Sequence, residues 1–321
     1  MRILLVKTSS LGDVVHNLPV ATDLARRLPA ATIDWVVEEA FADIPRLHPA
    51  VDRVLPVAVR RWRRQLLSPA TWAEIGAFRR SLHERAYDLV IDTQGLLKSA
   101  LIVHGARLAP AGRRCGFSRD TVREAVAARF YDAAFDVPRM LHAVERNRRL
   151  AAVAAGFAAD GALDYGITAA PLAADWLPKR DYAVLLTATS RADKLWPEPD
   201  WHALGTMLAA TGLTCVFPAG NAEERLRAAR LATGLGRAVA APPLRLSELA
   251  GLLAGAQLVV GVDTGLVHLA AALGRPTLAL FCASDPQLTG VQASGKVMNL
   301  GGRDAAPAAG EVVAAALALA A

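Results

Sequence analysis

The sequence has few cysteines and no long uninterrupted apolar stretch. Its 321 residues contain three cysteines, which are far apart and show no CxxC spacing: Cys115, Cys215 and Cys282. Isolated thiols of this kind are typical of reduced, cytoplasmic proteins rather than of disulfide-linked secreted domains. The first apolar run ends at Lys7, too early for the core of a signal peptide. No run approaches the roughly 20 apolar residues that a membrane-spanning helix needs, so we expect a cytoplasmic protein.

Several motifs that would indicate a cofactor or metal are also missing from the sequence. It contains no GxGxxG dinucleotide fingerprint, no HExxH, no GxSxG and no Asp-x-Asp pair. The run 290–296 has the spacing of a phosphate-binding P-loop, but Val297 stands where a magnesium-binding Ser or Thr is required. We therefore expect no bound cofactor and no dedicated metal site.

Positive charge is concentrated in the first half of the chain. Residues 1–160 contain 24 Lys and Arg against 17 Asp and Glu, whereas residues 161–321 contain 12 against 13. Such an excess indicates an anionic partner, although an arginine-biased, solvated surface would look the same.

The densest part of this charge is a basic cluster around one tryptophan, which we define as Arg60, Arg61, Trp62, Arg63 and Arg64. Guanidinium groups match phosphates and carboxylates in a two-pronged geometry, so the cluster predicts an anion-binding surface. Apolar residues follow it that could contact acyl chains or a bilayer: Leu66, Leu67, Trp72 and Phe78.

Strand and helix patterns alternate along most of the chain, which predicts parallel sheets covered by helices. Apolar residues at helical spacing predict one helix over 13–28, and the arginine-rich stretch 107–149 has a less regular pattern. A loose stretch rich in Gly, Ala, Asp and Pro interrupts the alternation near residues 158–178. We therefore predict an α/β fold of two Rossmann-like, doubly wound domains that face each other across a cleft. The predicted boundaries are 1–160, a linker at 161–178 and 179–321, with the option that the last helix packs back on the N-terminal domain.

The loop after the first predicted strand reads Thr8-Ser9-Ser10-Leu11-Gly12-Asp13. Ser9 and Ser10 offer hydroxyls, and Gly12 allows a ligand to approach the backbone. A carboxylate in a first helical turn complements the helix dipole in any protein. If the loop faces a cleft, however, Asp13 could also take a proton from an attacking hydroxyl.

A second site is predicted where the apolar strand 258–262 leads into Asp263-Thr264-Gly265. Unpaired N–H groups at the start of the following helix suit a diphosphate, and His268 lies one turn further along. Thr189, Ser190 and Lys194 follow another strand and supply hydroxyls and a cation where a leaving diphosphate would gather charge.

Together these segments resemble the bacterial lipopolysaccharide heptosyltransferases of glycosyltransferase family 9, especially the branch that adds the first heptose (heptosyltransferase I). The resemblance spans most of the chain and rests on the segments 6–14, 34–39, 60–63, 91–100, 142–146, 194–197 and 262–268.

The resemblance implies a GT-B type fold and transfer of L-glycero-D-manno-heptose from ADP-heptose to the Kdo sugar of Kdo-lipid A, with inversion. It implies that Asp13 is the catalytic base. It assigns the donor site to Thr189, Ser190, Lys194, Glu223, Leu244, Asp263, Thr264, Gly265 and His268. Within that set, Glu223 would bind the ribose and Leu244 would line the adenine pocket. The acceptor would be bound by Ser9, Ser10, Gly12, Arg60, Arg61, Arg63 and Arg64.

This interpretation places the protein on the cytoplasmic face of the inner membrane, in peripheral contact with lipid and without nucleic acid. Three alternatives stay open at this stage. They are heptosyltransferase II, a nucleotide-sugar epimerase on the same scaffold, and a nucleic-acid-binding protein that uses its basic half.

Overall fold

The structure is a computed structural model that describes residues 1–189 and 191–321. The chain divides into two compact units, Met1–Ile167 and Thr168–Ala321, and the division falls within the segment predicted as a linker. Each unit contains one six-stranded parallel sheet with helices packed against it, the α/β architecture predicted from the alternating pattern.

The first sheet has the strand order β3-β2-β1-β4-β5-β6. One of its two central strands, β1, is apolar at every position after Arg2, as expected for a strand that is buried on both faces. The strands are β1 (Arg2–Val6), β2 (Thr32–Glu38), β3 (Val51–Val57), β4 (Tyr87–Asp92), β5 (Leu108–Phe117) and β6 (Ala133–Phe135). The α-helices are α1 (Leu11–Val15), α2 (Leu18–Arg27), α3 (Asp43–Arg46), α4 (Val59–Trp62), α5 (Pro69–His83), α6 (Leu97–Gly105) and α7 (Ala143–Ala155).

The second sheet has the order β12-β11-β10-β7-β8-β9, which repeats the topology of the first. Its strands are β7 (Tyr182–Leu186), β8 (Thr214–Phe217), β9 (Ala238–Ala240), β10 (Leu258–Val262), β11 (Thr277–Phe281) and β12 (Val297–Gly301). Its α-helices are α8 (Glu198–Ala210), α9 (Ala222–Thr233), α10 (Leu246–Ala254), α11 (Gly265–Ala272), α12 (Pro286–Thr289) and α13 (Ala309–Ala320).

Two features differ from the sequence-based expectation. The single helix expected over 13–28 is two helices, α1 and α2, because Pro19 in the first turn of α2 cannot continue an earlier helix through its missing N–H. The arginine-rich stretch 107–149, expected to be irregular, forms β5, β6 and α7. The last helix, α13, packs on α8 and on the sheet of its own unit.

Candidate functional site

Both sheets place their ligand-binding edge at the same topological position. The strand order reverses between β1 and β4 in the first unit and between β7 and β10 in the second. In open parallel sheets, ligands bind beyond the carboxyl ends of the strands at such a reversal. The predicted loops of Asp13, Lys194 and Asp263 follow three of these four strands, whereas Glu223 and Leu244 follow β8 and β9 and the basic cluster follows β3.

In the first unit, Asp13 lies in the first turn of α1 and is half-buried. Its Oδ2 accepts hydrogen bonds from the backbone N–H of Ser10, at 2.9 Å, and from the Ser10 hydroxyl, at 3.2 Å. These contacts orient the carboxylate without burying it. A general base must come within hydrogen-bond distance of the hydroxyl that it deprotonates. The partly exposed carboxylate of Asp13 is accessible enough for such a contact.

The loop that carries Asp13 is held by residues that follow β4. The side-chain Oε1 of buried Gln94 accepts from the backbone N–H groups of Thr8 and Ser9, both at 3.1 Å. Lys98 Nζ donates to Ser9 Oγ at 2.7 Å, and partial burial lowers the pKa of Lys98. Neither residue was among the predicted site residues, although polar side chains directly after a buried strand are a usable sequence signal.

The four arginines of the basic cluster have different surroundings. Arg61 forms ion pairs with Glu39, at 3.0 Å, and with Glu74, at 2.8 Å, and its hydrogen bond to Glu39 is the main cause that raises its pKa. Arg60, Arg63 and Arg64 are exposed. The last three guanidinium groups are therefore better placed than Arg61 to meet an anionic ligand.

In the second unit, three side chains lie close to the carboxylate of Asp263. Oδ2 accepts from Lys194 Nζ at 2.5 Å and from Ser284 Oγ at 2.6 Å, and His268 Nε2 lies 3.8 Å from Oδ1. Burial works to raise the pKa of Asp263, but the hydrogen bonds from His268, Lys194 and Ser284 outweigh it and hold the pKa well below its usual range. This carboxylate is therefore an anion that positions a lysine rather than a proton acceptor.

Hydroxyl and amide groups surround this lysine. Thr189 Oγ1 donates to the backbone carbonyl of Asp263 at 3.1 Å, and Thr264 is the residue that caps α11. Gly265 begins α11, and the first backbone N–H groups of a helix have no carbonyl partner in a preceding turn. A cation beside a helix N-terminus is a physical arrangement suited to phosphate groups. Ser190 lies outside the described residues.

A cavity of about 260 Å³ adjoins these groups and is lined in part by Thr189, Gly220, Glu224, Leu249 and Thr264. Glu224 accepts a hydrogen bond from the backbone N–H of Gly220 at 2.7 Å, which holds its carboxylate at the cavity wall.

Two predicted donor residues are placed differently. Glu223 precedes Glu224 on α9 and is exposed, and Leu244 is half-buried before α10. Glu224, which lines the cavity, was not among the predicted residues, because the sequence does not show which of two adjacent glutamates faces a cavity.

Within the described part of the chain, no cluster of three or more His, Cys, Asp or Glu side chains is arranged to hold a metal ion. Over the same residues, no helix has both the length and the apolar character needed to cross a bilayer.

Two Rossmann-like units define the chain as an α/β protein of the GT-B glycosyltransferase type. The family model for glycosyltransferase family 9 (heptosyltransferase) matches residues 75–314, and the chain belongs to this family.

Known relatives agree with that assignment. The chain is 48% identical over 298 residues to lipopolysaccharide heptosyltransferase 1 of Pseudomonas aeruginosa, covering 92% of this chain and 83% of the relative. The Escherichia coli heptosyltransferase WaaC solved with ADP matches with a TM-score of 0.87 at 41% identity, over 99% of this chain and 98% of that one. The same enzyme solved with ADP-2-deoxy-2-fluoro heptose matches with a TM-score of 0.84. Escherichia coli heptosyltransferase II shares the fold, with a TM-score of 0.78 at 21% identity, over 100% of this chain and 98% of that one.

Proposed function

We propose that this glycosyltransferase moves L-glycero-D-manno-heptose from ADP-heptose to the Kdo sugar of Kdo-lipid A, with inversion, in assembly of the lipopolysaccharide inner core. The observation that carries the proposal is the Asp263 turn, where Lys194 and the start of α11 converge. A related enzyme binds ADP and a fluorinated ADP-heptose, so a diphosphate is the natural ligand for this turn.

The reaction is a single displacement at the heptose carbon that bears the diphosphate. Asp13 takes the proton from the acceptor hydroxyl as that oxygen attacks, and the bond to ADP breaks on the opposite side of the carbon. Lys194 and the N–H groups at Gly265 stabilise the charge that gathers on the departing diphosphate. Inversion follows because a single displacement occurs at that carbon.

The donor nucleotide would occupy the cavity beside Thr189. Glu224, which lines this cavity, is proposed to bind the ribose hydroxyls, the role predicted for its exposed neighbour Glu223. Leu244 and Leu249 would contact the adenine, and Thr264 and His268 would contact the phosphates or ribose. Ser190 keeps its predicted donor role.

The acceptor would be bound by the first unit. Exposed Arg60, Arg63 and Arg64 would pair with its carboxylates and phosphates, while Arg61 would hold this surface in place through Glu39 and Glu74. Ser9, Ser10 and Gly12 would line the path to Asp13.

We also propose peripheral contact with the cytoplasmic face of the inner membrane. Leu67 is 99% exposed and Trp72 is 59% exposed, beside the cationic cluster. An apolar surface flanked by arginines is suited to an anionic lipid surface. Flotation with phosphatidylglycerol vesicles tests this, and Leu67→Asp should reduce the bound fraction.

The direct test of the function incubates purified protein with ADP-heptose under three conditions: with Kdo-lipid A, with a glycolipid that already carries the first heptose, and without an acceptor. The products are then identified by mass spectrometry. One heptose should be added to Kdo-lipid A, and none to a glycolipid that already carries the first heptose. The reverse preference would indicate heptosyltransferase II. Conversion of the donor when no acceptor is present would indicate an epimerase.

A further inference from the structure

The loop that carries the proposed base begins where β1 ends, and two of its backbone N–H groups share one acceptor. The N–H groups of Thr8 and Ser9 both donate to Oε1 of Gln94, each at 3.1 Å. Gln94 follows β4, the strand next to β1 in the sheet, and is only 4% exposed. A buried amide oxygen has two lone pairs and can satisfy two donors at once. This one side chain therefore constrains the path of the backbone into Asp13.

Gln94 is itself held by a buried carboxylate at the end of β4. Asp92 Oδ1 accepts from the backbone N–H of Gln94, at 2.8 Å, and from that of Gly95, at 3.0 Å. Its Oδ2 accepts from the hydroxyls of Ser99 and Tyr131, both at 2.8 Å. Because four donors converge on one carboxylate, the turn that presents the Gln94 side chain has little freedom to move.

The contacts continue from Ser9 to the carboxylate of the base. Ser10, the next residue, donates to Asp13 Oδ2 from its backbone N–H at 2.9 Å and from its hydroxyl at 3.2 Å. A shift of Ser9 would therefore move both groups that orient the carboxylate. Misplacing a reacting group by about 1 Å can lower a rate roughly a hundredfold. The position of Gln94 is therefore relevant to catalysis.

The Gln94 amide is neutral, although charged groups lie around it. Lys7 Nζ donates to the backbone carbonyl of Thr93 at 2.8 Å, and Lys98 Nζ donates to Ser9 Oγ at 2.7 Å. The groups whose charges interact with these two lysines include Asp13, Glu38, Asp92, Arg60, Arg63, Arg123 and Arg146. A glutamate at this position could accept the same two N–H groups, but its charge would disfavour a second ionised carboxylate nearby. A neutral amide holds the loop without this effect.

We propose that Gln94 is the positioning residue for the base: its amide oxygen, by accepting from Thr8 and Ser9, holds the Asp13 carboxylate where it meets the acceptor hydroxyl. The assignment rests on the proposed function, in which Asp13 takes the proton of that hydroxyl. Gln94 acts through the backbone and through Ser10, and it touches neither substrate. Loss of its contacts should therefore lower kcat and leave both substrate affinities nearly unchanged.

The first test measures kcat and both KM values for Gln94→Met, which keeps the length of the side chain but has no amide oxygen. We expect kcat to fall about tenfold to a hundredfold, with both KM values within about threefold of those of the unchanged protein. In the Asp13→Asn background, the same substitution should lower kcat no further, because Gln94 acts through that carboxylate.

Leu24→Ala is the control for stability. Leu24 is fully buried in the last turn of α2, which leads to the start of β2 at the opposite edge of the sheet. Its truncation leaves a cavity in the same unit, so the melting temperature should fall while kcat changes little. A loss of kcat as large as in Gln94→Met would attribute both effects to stability and overturn the positioning role.

Gln94→Glu separates the geometry of the contact from its charge. The variant retains an oxygen for both N–H groups, so kcat on its high-pH plateau should stay within about threefold of the unchanged protein. The added negative charge should move the acid limb of the kcat profile to higher pH. An acid limb that coincides with that of the unchanged protein would contradict the assigned proximity to Asp13.

Hydrogen–deuterium exchange of a peptide that contains Thr8 and Ser9 tests the contact without substrate. Exchange should accelerate about fivefold or more in Gln94→Met and stay close to the original rate in Gln94→Glu. An unchanged kcat in Gln94→Met, or an equal fractional loss in the Asp13→Asn background, would overturn the positioning role. Failure of the unchanged protein to transfer heptose would contradict the proposed function, and the exchange rates would still decide whether Gln94 holds the loop.

Discussion

Each unit places an aspartate in the turn after a strand that borders the reversal of strand order, but the surroundings of the two carboxylates differ. Asp13 of the first unit is half-buried and hydrogen-bonded by neighbouring Ser10, whereas Asp263 of the second is contacted by Lys194, Ser284 and His268. The same topology can therefore leave a carboxylate partly exposed or pair it with a cation of its own unit. The difference lies in the side chains supplied by adjacent loops, not in the sheet.

The largest effect is expected from removing the proposed base. Asp13→Asn should lower kcat by roughly 10²- to 10⁴-fold, the usual contribution of general base catalysis, because the amide cannot accept the proton. Steady-state kinetics with both substrates measures this. Asp43→Asn is the matched control, since Asp43 also lies in the first turn of a short helix in the same unit. A similar loss in both variants would mean that Asp13 has no special role.

A smaller effect, on both binding and turnover, is expected from the cation that Asp263 positions. Lys194→Ala should weaken ADP binding roughly tenfold to a hundredfold, since it removes a charged partner of the diphosphate. Calorimetry measures the affinity. Arg191→Ala should change it little, because Arg191 is exposed and pairs with Asp193. Equal losses would indicate a general electrostatic effect instead of a specific contact.

Within the basic cluster, we expect some arginines to bind the acceptor and Arg61 to stabilise the surrounding structure. Arg63→Ala is expected to raise the KM for Kdo-lipid A roughly tenfold with little change in kcat, because an exposed guanidinium would be lost to the acceptor. Arg61→Ala should instead lower the melting temperature, since it leaves Glu39 and Glu74 without their shared partner. Thermal denaturation and steady-state kinetics of both variants distinguish the two roles. A raised KM in Arg61→Ala together with a lowered melting temperature in Arg63→Ala would mean that Arg61 binds the acceptor and Arg63 supports the surface.

The smallest expected effect is a pH dependence of thermal stability that arises from Asp263 in the second unit. The pKa of Asp263 in the folded chain is held below its ordinary value of 3.8, so its ionised form stabilises the fold above that pH. This stabilisation is lost as pH falls through the lowered pKa. The difference in melting temperature between the unchanged protein and Asp263→Asn should therefore be constant above about pH 5 and shrink below 3.8. A difference that grows on acidification would contradict the charge assigned to this group.

The strands of both sheets were largely predictable because buried parallel strands are continuous apolar runs, as in β10. The strand β5 was not, because its Pro110, Gly112, Arg113 and Arg114 give a composition typical of loops. Strand β12 also escaped prediction, since none of its residues is buried and its apolar residues form no run.

The sequence identifies candidate site residues where they follow a strand at the reversal of strand order, as Asp13 and Asp263 do. Some of the side chains that hold these two turns come from distant parts of the chain. Ser284 lies 21 residues from Asp263, and Gln94 lies 85 residues from Ser9. Contacts over such separations depend on how the strands are ordered, which local sequence patterns do not reveal.

The contrast between the two carboxylates can be measured directly as ADP affinity in a pair of matched variants. Isothermal titration of Asp13→Asn should give an ADP dissociation constant within about twofold of the unchanged protein, whereas Asp263→Asn should bind roughly tenfold or more weakly because Lys194 loses its anchor. Weakened ADP binding in Asp13→Asn, with unaltered binding in Asp263→Asn, would contradict the division of roles proposed here.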